Sequence, residues 1–136
     1  MKIYLDSSVL LRVVLREPGR LPEWPQVTHA VSSQLLRVEC LRVIDRARAK
    51  VSDPSRHYAW LVELHHRLAH VEMAALDANI LEQASQPFPL PLGTLDALHL
   101  ATAMAYRREL IPDILFATHD RLLKDCATAM GFKTLG

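Results

Sequence analysis

Cysteine is nearly absent: Cys40 and Cys126 are the only two in 136 residues. That excludes a CxxC metal knuckle and a disulfide-stapled scaffold, and leaves two small apolar fillers in a reducing compartment as the expectation. Glycine is scarce at four residues, which excludes collagen. No uncharged run approaches the roughly 20 residues that cross a bilayer. The start, Met1 to Asp6, lacks the apolar stretch of a signal peptide, so a cytoplasmic protein with no membrane attachment is expected. Neither sign of charge dominates, with 16 basic against 15 acidic side chains and a net charge of +1. Such a balance neither demands nor excludes nucleic acid, because binding depends on where the charges lie. What is present is a chain of domain size that is 50% apolar, and one globular domain over residues 1–136 follows.

Hydrophobic periodicity divides that chain into alternating strands and helices. Ile3–Leu5 reads as a strand, Ser7 or Ser8 as a cap, and Val9–Arg16 as a short helix stopped by Pro18 and Gly19. Residues 17–26 contain three prolines and read as loop. Val27–Val31 reads as a strand, with Ser32 and Ser33 capping a helix to about Lys50. Asp53 followed by Pro54 caps a second helix to Ala69, which forms a hairpin with the first. Val71–Ala75 is the next strand, Asp77 caps a helix to Ala84, and Thr94 caps another to Arg108. Ile114–Thr118, Asp120–Met130 and Phe132–Leu135 complete the series as strand, helix and strand, with Gly131 as the C-cap between the last two. Such alternation implies an α/β fold: a three-layer α/β/α sandwich around a mainly parallel sheet.

In open parallel sheets the ligand site lies beyond the carboxyl ends of the strands. Asp6 ends the first strand, Asp120 follows the fourth, and Asp96 sits in the first turn of a helix that starts at the same edge. Glu39 is the unusual acid. Its helical neighbours Leu35, Leu36 and Val43 place it beside the core-facing stripe, where a carboxylate needs a cation or hydrogen bonds in compensation. Each acid alone has a structural reading: Asp6 and Asp120 as caps, Asp96 as a helix-dipole partner, Glu39 as an ion-pair partner of Arg42. Four such coincidences at one rim are harder to accept, and oxygen-only ligands suit Mg²⁺ or Mn²⁺.

The ordered set Ile3-Tyr4-Leu5-Asp6-Ser7-Ser8-Val9-Leu10-Leu11, Glu39, Thr94-Leu95-Asp96-Ala97-Leu98-His99-Leu100-Ala101-Thr102-Ala103 and Phe116-Ala117-Thr118-His119-Asp120-Arg121-Leu122-Leu123 resembles the PIN domain of VapC-type toxins. The resemblance spans nearly the whole chain. It implies a Mg²⁺- or Mn²⁺-dependent endoribonuclease with Asp6, Glu39, Asp96 and Asp120 as its catalytic acids. Asp6 and Asp96 would be the principal metal ligands, with Glu39 orienting the nucleophile or holding metal through water. By the same analogy Ser7 or Ser8 and Thr118 hydrogen-bond the carboxylates, a metal-bound water or the scissile phosphate, and the products carry a 5′-phosphate and a free 3′-hydroxyl. A homodimer and a cognate VapB-type antitoxin are implied too, with residues 32–69 as their surface. His119 stands where the family often has a small polar residue, and its role is open.

Phosphate contacts are expected from Arg12 and Arg16 on one helix face, Arg42 and Arg46 on another, and Arg121. Two other readings compete: a PIN-like module that binds RNA or an antitoxin without cutting, and a Mg²⁺-dependent phosphatase-like or receiver domain. The phosphatase wants a second aspartate at position 8, which is serine, and the receiver wants paired acids and a late lysine that are not evident. His66 and His70 share helical spacing, but Arg67 stands where a zinc protease has glutamate, so a surface cluster is expected. Trp24 and Trp60 are expected to anchor and pack. Ala97, Ala101 and Ala105 are expected to let the helix pack closely against the sheet or another subunit, and His99 to be packed against the sheet without a catalytic part.

Overall fold

Every residue of β1 (Lys2–Leu5) after the first is buried, as befits a strand with neighbours on both edges and helices on both faces. In the computed structural model, which covers residues 1–136, β1 is the centre of a five-stranded all-parallel sheet. The other strands are β2 (His29–Ser33), β3 (Val71–Ala74), β4 (Leu115–Ala117) and β5 (Thr134–Leu135), in the order β3-β2-β1-β4-β5. Between them run α1 (Ser7–Val14), α2 (Leu35–Arg48), α3 (Pro54–Leu68), α4 (Ala78–Ala84), α5 (Thr94–Glu109) and α6 (Arg121–Ala129), with a 3₁₀ turn at Trp24–Gln26.

Side chains alternate across the sheet and divide the core in two. Ile3, Leu5 and Ala117 join Val9, Leu36, Ile44, Trp60 and Leu64 beneath α1, α2 and α3. Tyr4, Val31 and Phe116 face the other way, against Leu100, Tyr106 and Leu123 of α5 and α6. The expected three layers are therefore present. Because Cys40 and Cys126 belong to these opposite layers, the sheet itself keeps them apart. Trp60 is buried, and Trp24 packs at the core's margin with Arg67 over its ring, so both act as anchors. Ala97 and Ala101 of α5 are buried, and Ala97 lies beside Leu81 and Ala84 of α4.

Several boundaries differ from those expected. The strand expected at Val27–Val31 lies at His29–Ser33, because β2 extends until Ser32 and Ser33 pair with Met73 and Ala74. Ser32 caps nothing: its hydroxyl donates to the Leu5 carbonyl at 2.7 Å inside the sheet. The first helix starts at Ser7 and stops at Val14, with Asp6 as its cap in place of Ser7 or Ser8. Gly93, not Thr94, precedes α5 as its N-cap. Elsewhere the expected signals operate. Asp53 and Asp77 cap α3 and α4, Asp120 caps α6, and Gly131 takes the left-handed φ of +83° that ends α6.

The exposed cap at Asp53 gives a pH test. Ser55 donates to its carboxylate through Oγ at 2.7 Å and through its backbone N–H at 2.9 Å. These bonds, side chain first, hold the Asp53 carboxyl below the usual carboxylate range. A depressed folded pKa contributes stability above the unfolded value and loses it as pH falls through the folded one. Urea unfolding should therefore find Asp53→Ala less stable than wild type at pH 7, with the difference shrinking as the medium is acidified below about pH 4.

Candidate active site

A parallel sheet ordered 3-2-1-4-5 reverses its winding between β1 and β4, so the segments leaving those strands part to opposite faces and open a crevice. Asp6 leaves β1 there, and Thr118-His119-Asp120 leaves β4. Asp6 is only 5% exposed, and one of its oxygens is heavily bonded. Its Oδ2 accepts from Ser8 N–H at 3.2 Å, Ser8 Oγ at 2.5 Å and Thr118 Oγ1 at 2.9 Å. The two hydroxyls are themselves fixed. Ser8 Oγ accepts from His119 N–H at 2.9 Å, and Thr118 Oγ1 accepts from Asp120 N–H at 3.0 Å. Ser8 and Thr118 thus hydrogen-bond the Asp6 carboxylate, whereas the Ser7 side chain takes no part in this network.

Glu39 lies one turn into α2, half-buried, and Asp96 lies in the first turn of α5. Arg42 does not pair with Glu39; it pairs with Asp45 at 3.1 Å. The partner of Glu39 is His99, whose Nε2 lies 2.6 Å from Glu39 Oε2. His99 is fully buried, and its Nδ1 lies 2.9 Å from the Tyr4 hydroxyl. One carboxylate oxygen each from Asp6 and Glu39 and a ring nitrogen of His99 fall within 4.8 Å of one another, the only such cluster of three potential ligands in the chain. His66 and His70 form none, although their rings are 5.1 Å apart.

Electrostatics bind the remaining acids to the same place. Burial raises the Asp96 carboxyl above its ordinary range, and the charges of Asp120, Asp6 and Glu39 add to that rise against the opposing effect of His99. Asp120 is exposed, with Oδ1 accepting from Leu123 N–H at 2.8 Å. Burial alone would lower the imidazole of His99, but its bond to Glu39 and the charges of Asp6, Glu39 and Asp96 outweigh that and raise it. Burial, Arg12 and Lys124 all push the imidazole of His119 down, and its Nε2 is buried without a partner. Cys40 sits in the same field: burial, then Glu39 and Asp6, push its thiol up to about 12.

The basic residues are spread more widely. Arg121 opens α6 at the rim, and Arg12 reaches the Pro18 and Gly19 carbonyls at 3.4 and 3.3 Å. Arg16, Arg42 and Arg46 are exposed and lie further along or beyond helices that begin at the rim and rise about 1.5 Å per residue.

A divalent cation fits the donor set. The carboxylates supply hard oxygen ligands, while both nitrogens of His99 are committed to Tyr4 and Glu39.

The sequence model of the PIN domain matches residues 3–127. The chain belongs to the PIN-domain family. As a PIN domain it is 31% identical over 137 residues to Ribonuclease VapC46 of Mycobacterium tuberculosis strain ATCC 25618 / H37Rv, with 98% of this chain and 95% of that protein aligned. To Ribonuclease VapC47 of M. tuberculosis strain CDC 1551 / Oshkosh it is 32% identical over 140 residues, with 97% and 94% aligned. A chain in the crystal structure of VapBC2 from Rickettsia felis bound to a DNA fragment from their promoter superposes with a TM-score of 0.61 at 13% identity, covering both chains completely. That likeness extends the shared fold to the whole PIN chain. Ser8, where the phosphatase reading wanted an aspartate, is a hydrogen-bond donor to Asp6.

Sequence reasoning missed His99 as a member of this cluster. The usable signal was its i+3 spacing from Asp96, which puts both on one side of α5's first turns.

Two substitutions test this geometry. Thr118→Val keeps the shape but leaves Asp120 N–H without its acceptor and removes one of the three donors to Asp6, so chemical denaturation should show a loss of about 1–3 kcal/mol. Asp96→Asn removes a crowded, partly buried charge. Its melting temperature without metal should rise above wild type, and added Mn²⁺ should shift it less.

Proposed function

We propose that the chain, as one domain over residues 1–136, is a Mg²⁺- or Mn²⁺-dependent endoribonuclease and the toxin of a toxin–antitoxin pair. The observation that carries this reading is Asp6: three donors on Oδ2 fix the carboxylate within ligand distance of Glu39, in a crevice that also gathers Asp96 and Asp120. Full-length similarity to two proteins named ribonucleases supports the reaction class. Their names, together with the VapBC2 complex of the superposed chain, support a VapB-type antitoxin as partner. No helix is long and apolar enough to cross a membrane. The protein would act on RNA in the cytoplasm, as a homodimer.

A bound divalent cation would neutralise the phosphodiester and acidify water for attack. Asp6 and Asp96 would be its principal ligands, and Asp120 would complete the acidic set. Glu39 has Oε2 occupied by His99, so Oε1 is the oxygen left to hold the cation, through water, or to orient the attacking water and take its proton. Attack at phosphorus forms one P–O bond and breaks the bond to O3′, which leaves as a hydroxyl; the phosphate stays on the 5′ oxygen of the following nucleotide. Arg121, beside Asp120, is the best-placed cation for a flanking phosphate, with Arg12 behind it. Arg16, Arg42 and Arg46 would serve a longer stretch of bound RNA.

Purified chain incubated with total RNA and Mg²⁺ or Mn²⁺ should give discrete fragments with 5′-phosphate ends. Asp96→Asn and excess chelator should each abolish them. Intact RNA in the presence of folded, metal-loaded wild type would sink the nuclease reading. Arg121→Ala should weaken RNA binding and reduce the log–log salt slope by about one, measured by fluorescence anisotropy between 50 and 200 mM salt.

A further inference from the structure

An imidazole with no exposed surface, bonded at both nitrogens, runs from the middle of the sheet to the acidic crevice. Tyr4 is wholly buried, stacked on Phe116 with ring centroids 5.2 Å apart, so its hydroxyl cannot swing. That hydroxyl accepts from Ser33 N–H at 3.2 Å and meets His99 Nδ1 at 2.9 Å. The His99 ring stands edge-on to Tyr4 at 73°, which aims the opposite nitrogen at Glu39. If the Tyr4 proton points at Nδ1, the imidazole is neutral and carries its hydrogen on Nε2; if the imidazole is doubly protonated, Nε2 again carries hydrogen. In either state Nε2–H donates to the Glu39 carboxylate.

From this we infer that His99 is a positioning residue for Glu39: it grips Oε2, turns Oε1 toward Asp6, and so tunes how tightly the crevice holds a divalent cation without ligating the cation itself. The inference rests on the metal-site part of the proposed function and deepens it. Three elements converge on one oxygen: β1 supplies Tyr4, α5 supplies His99 and α2 supplies Glu39. A carboxylate held through only one oxygen keeps the other for a ligand, and hydrogen-bond partners behind metal ligands commonly change affinity 10–100-fold when removed. A glutamate on an unanchored rotamer would instead spend conformational freedom on binding.

The test measures Mn²⁺ affinity by calorimetry without RNA, on wild type, His99→Gln, His99→Leu, Glu39→Ala and the His99→Leu/Glu39→Ala double variant. His99→Leu should bind Mn²⁺ at least about tenfold more weakly, and His99→Gln, which restores an N–H at the same reach, within about threefold of wild type. In the Glu39→Ala background His99→Leu should have no further effect, since the positioned group is gone. Additive losses in that cycle, or wild-type affinity in folded His99→Leu, would overturn the proposal. Electron spin echo envelope modulation of wild type loaded with Mn²⁺ should show no directly bound nitrogen; a ¹⁴N coupling of a ligated imidazole would make His99 a ligand and overturn it without any variant. Wild type that binds no Mn²⁺ would sink this proposal and the metal site together. Binding without RNA cleavage would sink only the nuclease.

Discussion

The contact on which the structure most depends is the one between Asp6 Oδ2 and the two hydroxyls of Ser8 and Thr118. β1 and β4 are paired only as far as Leu5 and Ala117, and the helices that follow leave on opposite faces. The Asp6 N–H bond to the Ala117 carbonyl at 3.0 Å is the last rung between them, and beyond it no ladder bond holds the two departing segments together. The carboxylate does so, because each hydroxyl donating to it also accepts a backbone N–H from the segment after β4. The bonds that close the fold at this seam are therefore the same bonds that orient the first acid of the crevice.

Four carboxylates at one rim repel one another, and the fold compensates them unequally. Asp6 has three donors, Asp120 has the N-terminus of α6, and Glu39 has a buried imidazole. Asp96 has no hydrogen-bond donor of that kind, and its carboxyl is the acid raised by burial and by its neighbours. The unrelieved electrostatic cost is thus concentrated on one side chain at the mouth of the crevice. A cation that binds only the folded state offsets that cost and stabilises the protein by linkage.

Nearly all of the fold was legible in the sequence, because buried parallel strands and amphipathic helices leave periods that need no partner to be read. Asp53, Asp77 and Asp120 announced the helices they cap. Hydroxyl residues were less legible. Ser32 and Ser33 looked like caps; Ser33 Oγ does accept from Leu35 N–H at the start of α2, but a buried hydroxyl can also be satisfied inside a sheet, and Ser32 finds the Leu5 carbonyl there. Thr94 yielded the N-cap position to Gly93, since either can adopt the extended backbone required. The four acids were visible because chain order sends each to the same strand edge. The part of His99 was not. Its partners, Tyr4 and Glu39, lie far away along the chain, and a histidine among alanines and leucines has the same local pattern whether it merely packs or carries a bond.

Cys40 shows what this arrangement means for the chain's resistance to oxidants and electrophiles. It lies one residue past Glu39 on the buried side of α2, where burial first, and then the charges of Glu39 and Asp6, push its thiol up to about 12. Nucleophilic sulfur is thiolate, and at neutral pH almost none is present at such a value. Peroxide and alkylating agents therefore find no reactive sulfur beside the crevice while the fold is intact. Cys126, buried in the opposite layer, cannot reach across the sheet to form a disulfide. Control of the crevice consequently falls to whatever enters it from outside, through occupancy and charge, and not to the oxidation state of the protein's own sulfur.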